Sequence, residues 1–177
     1  MRTGLFIGRF QPFHLGHLRT LKFALDKSEV LIIAVGSAQK SYELRNPFTA
    51  GERITMIRNS ICEDRTIDYK KILIIPVMDV DIHKIWTYHL DTLVPKYDHV
   101  FSNDSFTKLL FQERGIRIIE PTLHNRNQYS GTETRGRMAN DRDWEILVPK
   151  ATARIITEIN GIDRIKSIFS KMESDHH

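Results

Sequence analysis

A chain of 177 residues is long enough to bury a substantial core without staples, and its single cysteine, Cys62, excludes an intrachain disulfide framework and suits a reducing cytosol. Hydrophobic residues at 41% and charged residues at 27% describe an ordinary globular domain, with apolar runs far too short to cross a bilayer. The formal charge of +4 is scattered rather than gathered in a Lys/Arg block, which argues against sequence-independent nucleic-acid binding and leaves small phosphorylated ligands or an acidic surface as its counterpart.

The start, MRTGLFIG, has no signal-peptide pattern, and a cytoplasmic location is expected. The first predicted strand is GLFIG (4–8), continuous in apolar character as a strand buried on both sheet faces must be. A glycine- and histidine-bearing loop, GRFQPFHLGH (8–17), then leads into a helix whose Leu18, Leu21 and Leu25 share one face. A second strand, EVLIIAVG (29–36), precedes the helix of Ile54, Ile57 and Ile61, in which Cys62 reads as a small buried hydrophobe. That helix opens on Thr49-Ala50-Gly51-Glu52, a capping box in which hydroxyl and carboxylate satisfy backbone donors reciprocally.

Further strands, KILIIPV (71–77), HVFSN (99–103) and IRIIE (116–120), alternate with helical segments from Ile85 to Val94 and Phe106 to Arg114. A second capping-box pattern, Ser130-Gly131-Thr132-Glu133, starts another helix. Beyond Pro149 two amphipathic segments, TARIITEI and DRIKSIFSKM, flank Asn160-Gly161, a helix stop. No repeat, linker or low-complexity stretch interrupts the pattern, so one domain spanning 1–177 is expected. Strand–helix alternation predicts an α/β fold with a doubly wound parallel sheet of about five strands and a helical C-terminus. No fold or functional reading attaches to the terminal His176-His177.

Open α/β sheets bind ligands beyond the carboxyl ends of their strands, where GRFQPFHLGH lies. Gly8 and Gly16 allow close backbone approach, and Pro12 stiffens the turn. The His14-x-x-His17 pair has three readings: metal ligands, core histidines or phosphate donors. A metal site would want further ligands, and there is no HExxH, no second cysteine and no obvious carboxylate partner. Arg9 beside the pair, at a helix N-terminus that already favours anions, makes phosphate the better reading. In YSGTETR (129–135) capping explains Ser130 and Glu133, but not Gly131, nor Arg135, a cation that opposes the helix dipole. These point to a second phosphate cradle.

HLGH after the first strand resembles the HxGH signature of the nucleotidyltransferases, and SGTETR resembles their late hydroxyl-rich helix start ending in arginine. More narrowly, GRFQPFHLGHL, GSAQ (36–39), NPFTAGER (46–53) and YSGTETRGRM (129–138) resemble the archaeal-type nicotinamide-mononucleotide adenylyltransferase family, from Gly4 to about Lys166. Two positions depart from the family pattern: Phe10 stands where many members have methionine, and Gly136 where a further basic residue is usual.

The resemblance implies a Rossmann-like nucleotidyltransferase fold, and ATP plus nicotinamide mononucleotide as substrates giving NAD and pyrophosphate. It implies catalytic roles for His14, His17, Arg9 and Arg135, and ATP contacts from Gly8, Phe10, Gly16, Arg45, Ser130, Gly131 and Thr132. Gly36, Ser37, Asp79, Trp86 and Asn103 are implied at the mononucleotide, with Trp86 stacking on the pyridinium. Without the family, Trp86 reads as a half-buried helix aromatic, and Asp79 and Asp81 as a loop residue and an N-cap. Mg²⁺ is implied as cofactor, held by phosphates and water rather than by side chains, and the family suggests a homo-oligomer, a hexamer.

Three alternatives stay open at this point. Another HxGH adenylyl- or cytidylyltransferase would be told apart by a substrate screen. A non-catalytic nucleotide sensor of the same fold would be expected to lack HxGH or the late arginine, and both are present. A nucleic-acid module would show steep salt dependence.

Overall fold

The computed structural model describes residues 2–122 and 129–174, with the side chains of 172–174 left out; His176 and His177 lie outside them. Five parallel strands form the sheet: β1 (Thr3–Gly8), β2 (Val30–Val35), β3 (Ile72–Pro76), β4 (His99–Phe101) and β5 (Arg117–Ile119). Their spatial order is β3-β2-β1-β4-β5, so the chain runs outward from β1 to one edge and then returns to build the other half beside it. This reversal between β1 and β4 opens the crevice where such sheets bind ligands.

Helices cover both faces. α1 (Leu15–Lys27), α2 (Ala50–Glu63), α5 (Gly131–Ala139), α6 (Lys150–Glu158) and α7 (Gly161–Ser174) pack on one face, over Phe6, Leu31, Ile33, Val35 and Phe101. α3 (His83–Leu93) and α4 (Ser105–Gln112) cover the other, over Leu5, Ile32, Ala34 and Val100. Successive residues of one strand thus feed opposite cores, which is why its sequence is apolar throughout.

The expected elements are present, with three local corrections. Cys62 is exposed, because the buried stripe of α2 runs through Arg53, Met56, Ile57, Ser60 and Ile61 and the next residue rotates outward. Asp81 is not the cap of α3: Ile82 holds that position without a side-chain bond. The second capping box is only half formed. Ser130 Oγ accepts the Glu133 N–H at 3.1 Å, but the Glu133 carboxylate turns to Arg137, one helical turn on, at 2.7 Å. The Thr49–Glu52 box closes in both directions. Asn160 stops α6 in the left-handed region, with φ of 52°, before Gly161 starts α7.

Candidate active site

The HxGH spacing has a local structural cause. His14 is the N-cap of α1, and its Nδ1 accepts the His17 N–H at 3.2 Å; His17 Nδ1 in turn accepts the His14 N–H at 3.2 Å. It is a capping box made with two imidazoles instead of a hydroxyl and a carboxylate. The rings stack with centroids 3.5 Å apart. With both Nδ1 atoms committed as acceptors, each neutral ring carries its proton on Nε2.

Burial keeps them neutral. Desolvation, then the cationic Arg135, bring His14 down to about 4; desolvation and the neighbouring His14 hold His17 well below the usual histidine range. The unfolded chain binds protons at these sites from about 6.5 downward, where the folded chain does not. Stability from the pair is therefore complete above that value and declines as pH falls toward 4. A thermal-melting series should show this loss on acidification, and the turnover profile should carry no histidine step between pH 6 and 7. A charged-histidine mechanism predicts a step there.

Phe10 does not face the cleft. It is 1% exposed, meets Phe6 edge-on at 5.3 Å and lies against His17 at 4.8 Å, so it buttresses the imidazole from within the core. Phe13 stacks on that ring at 5.7 Å. Gly8 is needed because a Cβ there would lie 2.9 Å from the Phe10 ring.

A cavity of about 230 Å³ opens between the ends of β1 and β4, lined by His14, Gly16, His17, Asn103, Ser130 and Gly131. Asn103 thus lies with the histidines, not with Asp79 and Trp86, and its amide donates to the Pro121 carbonyl at 2.9 Å. A Cβ on Gly16 would sit 3.0 Å from both His14 Nδ1 and the Tyr129 carbonyl; one on Gly131 would sit 3.0 Å from Arg135 Nη1 and the Gln11 carbonyl. Both glycines keep room for the side chains that form the site.

Arg135 is buried, and its Nη1 donates to the Gln11 carbonyl at 2.7 Å. Burial, then the cationic Arg9 and Arg45, lower it to about 10. Arg9, Arg45 and Thr132 are exposed around it. A buried guanidinium with two further cationic groups close by forms a site for an anion.

A second cavity of about 400 Å³ lies on the other face of the sheet, lined by Lys40, Asp79, His83, Trp86, Phe106 and Thr107 among others. Asp79 accepts from Ser37 Oγ at 3.1 Å and pairs with Lys40 at 3.5 Å. Trp86 is half-buried with Phe111 edge-on at 6.2 Å. The Gly36 N–H donates to the Gly8 carbonyl at 2.9 Å, joining the ends of β1 and β2.

Two residues of the site go unnoticed in the sequence reading. Gln11 pairs its amide with the Phe48 backbone, donating at 2.8 Å and accepting at 3.0 Å, and so ties the first loop to NPFTAGER. Arg53 is fully buried beneath the cleft. Its signal was available: helical spacing places it on the same face as Met56 and Ile57.

Comparison with known proteins agrees with this architecture. The profile of the cytidylyltransferase-like family matches residues 5–137. The nicotinamide-nucleotide adenylyltransferase of Archaeoglobus fulgidus is 45% identical over 169 residues, 94% of this chain and 97% of that protein. The enzyme of the same name from Pyrococcus furiosus is 40% identical over 174 residues, 98% of this chain and 93% of its own. Among solved structures, a bifunctional NMN adenylyltransferase/ADP ribose pyrophosphatase from Francisella tularensis superposes with a TM-score of 0.83 at 24% identity. It covers 98% of this chain, which spans about half (53%) of that longer one. The nicotinic acid mononucleotide adenylyltransferase of Plasmodium falciparum has a TM-score of 0.63 at 16% identity, covering 92% and 97% of the two chains. These structures share the fold; the archaeal relatives, alike over nearly their whole length, place the chain in the cytidylyltransferase-like family, among the nicotinamide-nucleotide adenylyltransferases.

Proposed function

We propose that the chain transfers the adenylyl group of ATP to nicotinamide mononucleotide, giving NAD and pyrophosphate. The observation that carries this is the cavity at the end of β1 lined by neutral imidazole donors, accompanied by a second cavity lined by an aspartate and an indole. ATP takes the first and the mononucleotide the second. A 5′-phosphate oxygen attacks the α-phosphorus of ATP, the α–β anhydride bond breaks, and pyrophosphate departs. Neither a covalent nucleophile nor a strong base is needed, only in-line positioning and stabilisation of charge.

In this reading His14 and His17 donate from Nε2 to the reacting phosphates. Arg9 bridges the phosphates of both substrates, and Arg135 with Arg45, Ser130 and Thr132 holds the β- and γ-phosphates. Asp79 is already engaged by Ser37 and Lys40, and Asp104 caps α4. Mg²⁺ therefore fits as an ion carried by phosphate and water oxygens, and when bound it offsets phosphate charge. Incubation with Mg-ATP and nicotinamide mononucleotide should yield NAD and pyrophosphate, and phosphopantetheine should not be adenylylated. No NAD from folded protein with several divalent metals would overturn the reading.

Trp86 stacks on the pyridinium in this reading, a contact worth about 0.5–2 kcal/mol. Trp86→Ala should raise the KM for the mononucleotide by roughly 2–30-fold and leave that for ATP nearly unchanged, with Trp86→Phe intermediate. A purely structural role predicts a lower melting temperature with both substrates affected together.

The working assembly is a homo-oligomer, a hexamer by family likeness, in the reducing cytosol. Exposed Ile82, Ile85, Phe106 and Leu109 on and around α3 and α4 support self-association. Light scattering that gives a monomer would remove it.

A further inference from the structure

We infer that Arg53 is a positioning residue whose buried guanidinium sets the distance between the loops that carry the two substrates. The inference rests on the adenylyl-transfer reading above. Arg53 is 0% exposed and donates to backbone carbonyls from three separate segments. Nη1 reaches the Arg9 carbonyl at 2.7 Å and the Gly36 carbonyl at 2.7 Å; Nη2 reaches the Ser37 carbonyl at 3.1 Å, and Nε the Thr49 carbonyl at 3.2 Å. Four of its five N–H donors are thereby committed to main chain. Arg53 is not a phosphate ligand.

The carbonyls it gathers belong to the residues that matter. Arg9 directly follows β1. Ser37 holds Asp79 at the mononucleotide cavity, and Ser37 itself has a φ of 50°, a left-handed backbone that a serine rarely adopts. Thr49 caps α2 and follows Phe48, whose backbone is clasped by Gln11. A planar guanidinium with a rigid fork of donors holds carbonyls converging from several directions; a lysine ammonium with three donors on a flexible stem does not. Burial, the largest influence, lowers Arg53 to about 10, partly countered by the carboxylate of Asp79. It stays charged at neutral pH, and the carbonyl dipoles take the place of water around it.

Small displacements between reacting groups are costly. About 1 Å of misplacement loses up to 10²-fold in rate. Arg53→Lys, which keeps the charge and loses the fork, is therefore expected to lower kcat/KM by roughly 10–10²-fold, with KM raised for both nucleotides. Activity is measured per folded molecule, well below the variant's melting temperature, beside wild-type protein. If the variant is unfolded in buffer, it is refolded and assayed in trimethylamine N-oxide, with wild type in the same solution. A folded variant within 3-fold of wild type in kcat/KM overturns the inference (about 0.65 kcal/mol). So does a variant that cannot be folded even with the osmolyte, since Arg53 then belongs to the core. Inactive wild type would instead sink the adenylyl-transfer reading, which separates the two failures.

Discussion

Replacing His17 by alanine is expected to cut turnover by about 10²–10³-fold while the KM for ATP moves little. The reason is the form of the ring. Its Nδ1 is occupied by the His14 N–H, its environment holds it neutral, and its remaining proton is a fixed Nε2 donor at the cleft. A donor fixed before the reaction gains most where charge develops, in the transition state. Alanine also removes half of the cap on α1, which costs about 1 kcal/mol of stability and must be separated from the catalytic loss. His17→Gln does so. Glutamine is a natural third residue of a capping box, and with its amide turned back to the backbone it offers no donor where Nε2 stood. The glutamine variant should melt near wild type yet turn over as slowly as alanine. Recovery of turnover with glutamine would make His17 a helix cap only. A raised KM at unchanged kcat would make it a uniform binder of ATP.

The two functions of His17 show where the sequence was readable. Five apolar runs, two hydroxyl–carboxylate spacings and Asn160-Gly161 are local signals, and the elements they predict are present. The order of strands and the covering of both faces follow from the alternation. Which face a given residue feeds is not local. In VLIIAV, Leu31, Ile33 and Val35 enter one core while Ile32 and Ala34 enter the other, although the residue types are alike. Asn103, implied at the mononucleotide, lines the cavity of the histidines, and that side depends on where β4 stands beside β1. The family resemblance implied an ATP contact for Phe10, and only the fold shows three aromatic neighbours closing on it. Arg53 lay in plain view on an apolar helical face. Four carbonyls stand in for water around its charge, and that arrangement is visible only in the fold.

Arg135→Ala should lower kcat/KM by about 10²–10³-fold, through both a lower kcat and a higher KM for ATP, while leaving the melting temperature of the ligand-free protein almost unchanged. The first half follows from its proposed grip on phosphates already present in the ground state. The second half follows from what the free protein bears. Arg135 is charged in a buried place, within reach of Arg9 and Arg45 and against the positive end of α5. Its lowered pKa is a statement that the folded chain disfavours this charge, a cost present at every pH below about 10. Removing the side chain forfeits the bond to the Gln11 carbonyl and relieves the repulsion, two effects of opposite sign. ATP supplies the missing anion, so wild type should gain more melting temperature on adding Mg-ATP than the variant does. Arg135→Lys should fall between, because one ammonium cannot hold the carbonyl and a phosphate together as the fork does. An alanine variant with wild-type KM for ATP and an undiminished ATP-induced rise in melting temperature would show that Arg135 does not anchor the phosphates.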